Sequence, residues 1–327
     1  MNRQDKRANA DPRMKERNNR LKKQAARKAA APTVEEGERS VVIALGPGIC
    51  TAVKNEVETH YRCDMVVAPG DEIFVASGKV IGIAPRKTTL SRSDPSNPNR
   101  ERVIVANIDT VVIVASLTDP PFRTGLIDRY LTATERGGAK PVLCVTKTDL
   151  SEDVSCASVY RDLGIPVILS SAESGQGIDE LRDQLAGSLS VLVGHSGVGK
   201  SSLINALLDE DRVRTGVVNT VSKKGRHTTT ASTLYHLENG ARIIDTPGIR
   251  EFGLRPMTPE ELAEAFSEFA KFQCRFRDCK HEHEPDCGVK QAVEEGKIAA
   301  ARYGSYLRIL TGMQLTPGEN PNASSNT

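Results

Sequence analysis

The residues Gly194-His195-Ser196-Gly197-Val198-Gly199-Lys200-Ser201 match the pattern G-x-x-x-x-G-K-[ST] at every position. Glycines at these places let backbone N–H groups curl round phosphate oxygens where a side chain would clash. Lys200 is placed to reach β- and γ-phosphates, the Ser201 hydroxyl to ligate Mg²⁺, and Ser202 extends the nucleotide-binding set. Asp245-Thr246-Pro247-Gly248 follows about fifty residues later. An Asp at a strand tip can hold Mg²⁺ through water, and the Gly248 N–H can meet a γ-phosphate. Thr146-Lys147-Thr148-Asp149 supplies a carboxylate able to accept both N1–H and N2–H of guanine, with the Lys147 stem along the base. Adenine offers no such donor pair, so discrimination could be large. Ser171-Ala172, preceded by Ser170, can present backbone N–H groups to guanine O6. Finally, Cys274-x₄-Cys279-x-His281-x₅-Cys287 places three thiolates and an imidazole within 14 residues. Tetrahedral Zn²⁺ in a closed structural site takes this ligand set, with His283 as a rival imidazole.

These groups need a scaffold, and the hydrophobic patterning supplies one. Val111–Ala115, Pro141–Val145, Ile165–Leu169 and Ser190–Val193 are short apolar runs. Helical text alternates with them at Gly125–Thr134, Ile178–Ala186 and Ser201–Leu208. That alternation predicts a parallel sheet flanked by helices. Thr233–Leu237 and Ala241–Ile244 read as a hairpin with an Asn-Gly turn. Upstream, Ser40–Leu45, Ile49–Lys54, Val57–Arg62, Glu72–Ala76 and Lys79–Ala84 are five short strands, expected to close into an OB or SH3-like barrel. Pro85–Arg102 reads as a basic loop of RNA-contacting or linker character. Downstream, Thr258, Pro259 and Glu261 form a capping box that opens a helix to about Phe272. A second helix is expected from about Val289 to Leu310.

Composition limits the classes further. The chain of 327 residues has 44 Lys+Arg against 42 Asp+Glu, a net charge of +2. Residues 1–32 hold 11 Lys/Arg and 3 Asp/Glu, which leaves 33 against 39 in the remainder. A basic arm, expected to be disordered alone and able to dock on phosphates, precedes an acidic body. Segment 257–327 is itself acidic, with 8 Lys/Arg against 11 Asp/Glu, so shape recognition suits it better than electrostatic anchoring. No apolar run approaches the roughly 18 residues of a membrane span, and no secretory signal is read. Seven cysteines with three clustered point to metal in a reducing, cytoplasmic compartment. Cys50, Cys63, Cys144 and Cys156 default to small core residues. A monomer is expected.

The four nucleotide motifs are those of a Ras-like GTPase in rotated order, the base-reading pair preceding the phosphate loop. The chain therefore resembles the circularly permuted GTPases. With its N-terminal barrel and C-terminal zinc motif, it resembles over residues 38–312 the small-ribosomal-subunit-dependent GTPase A family (RsgA/YjeQ). The resemblance implies an α/β fold: a circularly permuted Ras-like P-loop GTPase domain between an all-β OB-like barrel and a helical zinc-binding domain. The expected boundaries are 1–37 for the basic arm, 38–101 for an RNA-binding barrel, 102–256 for the GTPase domain and 257–327 for the zinc domain. It implies GTP hydrolysis stimulated by the small (30S) ribosomal subunit, contact with its 16S rRNA, and a role in late maturation of that subunit. Its Cys-x-His pattern favours His281 over His283. Gly225–Thr230 occupies the first-switch position, where Thr228 or Thr229 closes on Mg²⁺ and the γ-phosphate. Ile249 stands where many GTPases place a water-orienting Gln, so slow intrinsic hydrolysis is expected. His227 is a candidate to position the water, the alternative being a solvated loop histidine. A zinc-dependent RNA-binding module with a non-hydrolysed nucleotide is the rival reading. Because Asp245–Arg250 leads into the zinc segment, γ-phosphate contacts are expected to move that domain.

Overall fold

The computed structural model describes residues 37–55, 57–94, 97–151, 153–208, 233–245 and 258–314. The expected disordered arm, the first-switch residues His227, Thr228 and Thr229, and Thr246–Ile249 lie outside them.

Five strands, β1 (Glu38–Gly46), β2 (Ile49–Lys54), β3 (Val57–Arg62), β4 (Glu72–Ala76) and β5 (Lys79–Ile83), close into a barrel in the order β1-β2-β3-β5-β4. Alternation along β1, β2, β4 and β5 turns Val42, Cys50, Ala52, Ile73, Val75 and Val80 into one small core. This is the OB-like barrel that the strand spacing predicts. Asp71, fully buried, accepts two hydrogen bonds from Arg86 at 2.7 Å each and one from the Ala68 N–H at 2.7 Å. That satisfied pair ties the barrel to the segment leaving it.

The segment read as a basic loop is instead a hairpin, β6 (Thr89–Asp94) and β7 (Asn97–Ala106). Its charged residues conceal an alternation in which Leu90 and Val105 are buried with the core of the next sheet. Tertiary burial, invisible in the local charge pattern, decides the conformation.

The central sheet has six strands: β8 (Thr110–Ser116), β9 (Lys140–Thr146), β10 (Val167–Leu169), β11 (Leu189–Val193), β12 (Thr233–His236) and β13 (Arg242–Asp245). Their order is β10-β9-β8-β11-β13-β12, parallel except for the edge strand β12. All seven residues of β8 are buried, as a strand covered on both faces requires. Helix α1 (Thr124–Arg136) packs on one face, around Tyr130, Leu131 and Tyr160. A short helix, α2 (Ser158–Asp162), joins it there. Helices α3 (Ile178–Gln184) and α4 (Lys200–Leu208) cover the other face.

The C-terminal domain begins at α5 (Pro259–Glu264), whose Thr258–Glu261 capping box is formed with both reciprocal bonds. The expected helix to Phe272 stops early, and Ser267–Lys271 is a tighter turn of helix. The break lets Phe266 and Phe269 both face the core beside Tyr306. The second expected helix is also two, α6 (Gly288–Glu294) and α7 (Ala300–Gln314). Gly296 sits at φ +71°. Its N–H caps Val293 O while the Lys297 N–H caps Ala292 O, which stops the first helix. Among the described residues no helix is long and apolar enough to cross a membrane.

This domain docks on α1. Arg302 donates to Asp128 of α1 at 2.6 Å and to Glu268 at 2.8 Å, and all three are buried. Its guanidinium also lies 4.0 Å from the Phe266 ring centroid. Burial pushes the Asp128 carboxyl up, with Arg302 opposing it. A second tie runs from Arg136 to Glu261 at 2.8 Å. Deleting the shared cation would strand two buried carboxylates. Arg302→Met is therefore expected to cost about 3–5 kcal/mol in denaturant unfolding, with much of it recovered when Asp128 and Glu268 are also made apolar. A single variant as stable as the parent would show that the cluster is not what holds the domains together.

Candidate functional site

Strand β11 ends at Val193 and helix α4 starts at Lys200, so residues 194–199 form the turn between them. Gly194 passes so close to β8 that a Cβ there would lie 2.3 Å from Val114 O. The Lys200 ammonium donates to the carbonyls of Gly194 and His195, both at 2.7 Å, which lays its charge across the loop. His195, Ser196 and Gly197 are exposed, Val198 is buried, and the Ser201 and Ser202 side chains reach solvent at the start of α4. N–H groups at a helix start beside a lysine form an anion site.

Asp245 closes the neighbouring strand β13, whose parallel pairing sets Ile244 opposite Val191. The carboxylate thus stands at the same sheet edge as the phosphate loop, half-exposed. Gly248 and the switch residues that would complete this side lie outside the described residues.

The base-reading pair arrives at that edge from the other half of the sheet. Thr146 ends β9, and its hydroxyl donates to Val198 O at 2.6 Å, joining the base-reading turn to the phosphate loop. Lys147 adopts a left-handed conformation, φ +59°, and its ammonium donates to Asp119 O. Thr148–Leu150 then forms a single tight turn that leaves Asp149 exposed. The Thr148 N–H donates to Ser170 O at 3.3 Å, and the Thr148 hydroxyl pairs with Gln176 Oε1 at 3.0 Å. The Ser170 and Ser171 N–H groups are already used, donating to Val145 O and Gln176 O. Of the three N–H groups offered for guanine O6, that of Ala172 is left to a base. Asp119 and Gln176 were not legible as participants; the only hint was the Gly-x-Gly turn around Gln176.

The four predicted metal ligands converge. One donor atom from each of Cys274, Cys279, His281 and Cys287 lies within 4.8 Å of all the others. Cys274 Sγ is 3.7 Å from Cys287 Sγ, and His281 Nδ1 is 3.4 Å from each of these sulfurs. His283 is exposed and faces Glu282, so His281 supplies the imidazole. Burial pushes the Cys279 thiol up to about 12 and the His281 imidazole down. A cation among them would reverse the thiol cost by favouring thiolates. Gly288 lets its backbone abut Gln273, where a Cβ would lie 2.1 Å from the carbonyl oxygen, and so brings Cys287 beside Cys274. Tyr303 and Tyr306 of α7 donate to His281 O and Lys280 O at 2.6 and 2.7 Å. Their i, i+3 spacing on a helix was the available signal for this support. By contrast, Cys50 and Cys144 are sealed in cores, their thiols pushed up to about 12 by burial, which makes them unreactive.

A phosphate loop on the central strand, an Asp on its neighbour, and a base-reading pair entering earlier in the chain define a circularly permuted GTPase. The RsgA GTPase family profile matches residues 83–255. The chain is similar to the protein named Small ribosomal subunit biogenesis GTPase RsgA in Pseudomonas putida, 41% identical over 268 residues, which are 78% of this chain and 77% of the relative. It is similarly close to the protein of that name in Chlorobaculum parvum, 40% identical over 290 residues, 86% and 88% of the two chains. Among solved structures it is similar to YjeQ from Thermotoga maritima, with TM-score 0.66 and 30% identity over 86% of this chain and 99% of that one. A second likeness is to YloQ, described as a circularly permuted GTPase, with TM-score 0.65 and 26% identity over 85% and 95%. The chain belongs to the RsgA GTPase family and is a GTP hydrolase.

Proposed function

We propose that this GTPase acts in late maturation of the small (30S) ribosomal subunit, binding the subunit and its 16S rRNA and leaving on hydrolysis. The observation that carries the nucleotide half is the 2.6 Å bond from Thr146 to Val198 O, which makes the two separated motif pairs one site. The ribosomal half is supported by the names of relatives that this chain matches over most of its length. In this reading Asp149 and the Ala172 N–H select guanine, residues 194–202 hold the phosphates, and Ser201 holds Mg²⁺. Thr228 or Thr229 and Gly248 close on the γ-phosphate, Asp245 steadies the metal's water, and His227 positions the attacking water. Mg²⁺ would neutralise charge on the β- and γ-phosphate oxygens. Arm 1–37, barrel 38–101 and domain 257–327 face the RNA, around GTPase domain 102–256. The protein works as a cytoplasmic monomer.

The metal at the Cys/His cluster is zinc in a structural role. A Zn–S bond near 2.3 Å in a tetrahedron implies S···S edges of about 3.8 Å. The 3.7 Å between Cys274 and Cys287 fits that figure, and four protein ligands leave no open position.

Phosphate release from GTP and from ATP, each with and without purified small subunits, tests the whole reading. GTP turnover is expected to be slow alone and strongly stimulated by subunits, with ATP turnover flat in both. Lys200→Ala, which removes one charge-stabilising donor, should lower the stimulated rate by about 10²–10³-fold. GTP turnover indifferent to subunits would reject the ribosomal partner.

A further inference from the structure

We infer that Arg275-Phe276-Arg277, the tip of the metal-binding loop, is a stacking platform for an unpaired RNA base. The inference rests on the RNA-associated reading above and specifies one of its contacts. Phe276 is 41% exposed and is the only exposed phenylalanine or tyrosine among the described residues. The other described phenylalanines and tyrosines are buried or half-buried. The domain's other aromatic side chains, Phe266, Phe269 and Tyr306 among them, pack into its core, whereas this ring leaves a face open to solvent.

The ring lies between two of the converging ligands in sequence and beside one guanidinium. Cys274 and Cys279, two of the converging ligands, bracket it in sequence. The Arg275 guanidinium lies 5.5 Å from the ring centroid and is itself fixed by Asp286 at 2.8 Å. The Arg275 N–H also donates to Asp286 O at 3.3 Å.

The charge around it identifies the class of partner. The domain as a whole is acidic and Arg275 is paired with Asp286, but Arg277 and Lys280 follow the ring in sequence with Asp278 as the one acid between them. Among the described residues Arg277 has no ion-pair partner, and it is exposed. A protein groove that took the ring would have to desolvate these cations as well. Single-stranded RNA offers a π-face to the ring and phosphates to the cations together. This contact would let an acidic domain meet RNA by stacking, with Arg277 and Lys280 near for phosphates.

The sequence contains no tryptophan, so Phe276→Trp places a single indole at the tip of the full-length chain. On binding small ribosomal subunits its emission lifetime should shorten without a blue shift, and its affinity should stay within about twofold of the parent, because either ring can stack. Phe276→Leu keeps apolar volume but has no π-face. Its affinity for subunits should fall about tenfold, within the roughly 5- to 150-fold expected for one stacked base. Zinc content and subunit-free GTP turnover should be unchanged in both variants. Parental affinity in Phe276→Leu, or a blue-shifted and lengthened emission from Phe276→Trp as in a protein pocket, would overturn the stacking contact alone. A parent chain that fails to bind subunits would overturn this contact and the ribosomal reading together.

Discussion

Stripping the metal from Cys274, Cys279, His281 and Cys287 is expected to unfold the C-terminal domain while GTP binding persists. The domain's apolar core is small: Leu262, Phe266, Phe269, Val289, Tyr306, Ile309 and Leu310 carry most of it. Domains of this size are marginal without a metal or disulfide. The loop between Cys274 and Cys287 has almost no apolar anchor of its own, and its carbonyls hang from Tyr303 and Tyr306. Metal binding in small zinc domains supplies an apparent stabilisation of about 10–16 kcal/mol, more than such a core can replace. Strong chelation, or Cys274→Ser, should therefore remove the helical signal of residues 258–314 and open them to protease. The nucleotide site should survive, because the phosphate loop and both base-reading turns are built on the central sheet. Circular dichroism and limited proteolysis, run beside a GTP-binding measurement on the same sample, would check both halves. A chelated chain that stays folded and protease-resistant would remove the structural role of the metal.

Asp149→Ala is expected to erase the preference for GTP over ATP, a loss of about 10⁴-fold in discrimination. The size of the effect follows from how firmly the carboxylate is presented. Lys147 in its left-handed conformation turns the chain, Ser170 O and Gln176 hold Thr148, and Thr146 locks the turn to the phosphate loop. Among the described residues no hydrogen bond engages the exposed Asp149 carboxylate itself, so both oxygens are open to donors. A site built to take two donors rejects a base that lacks them by leaving a charged acceptor unpaired. Competition of ATP and of inosine triphosphate, which lacks the N2 amine, against labelled GTP would measure the two bonds separately. The parent should bind the inosine nucleotide between the other two, and Asp149→Ala should treat all three alike. Unchanged GTP selectivity in the variant would assign base recognition elsewhere.

The anchoring of the C-terminal domain bears on the expected lever from the γ-phosphate side. Chain order alone suggests a lever, since Asp245 leads within a dozen residues to Thr258. The structure adds a dock on α1 through Arg302, Asp128 and Glu268. Helix α1 begins five residues after Asp119, whose carbonyl receives the Lys147 ammonium of the base-reading turn. Static contacts thus run from the base-reading turn through α1 to the domain's footing, beside the chain connection itself.

What the sequence by itself determined are features whose chemistry is local. The glycine and lysine spacing of residues 194–201, the barrel's alternating strands, the capping box at Thr258 and the four-ligand spacing of 274–287 each depend on neighbours a few residues away. The rotated motif order belongs with them, because order is a property of the chain. Only the tertiary structure decided which N–H group near Ser171 is left for a base, because the Gln176 carbonyl competes for it. Likewise it decided that Pro85–Arg102 pairs as a hairpin, since Leu90 and Val105 are buried by a sheet that begins later in the chain. The burial of Arg302 between two carboxylates is of the same kind. In each case the deciding partner lies on another element, and the free energy comes from burial and hydrogen bonding across that distance, which no local pattern records.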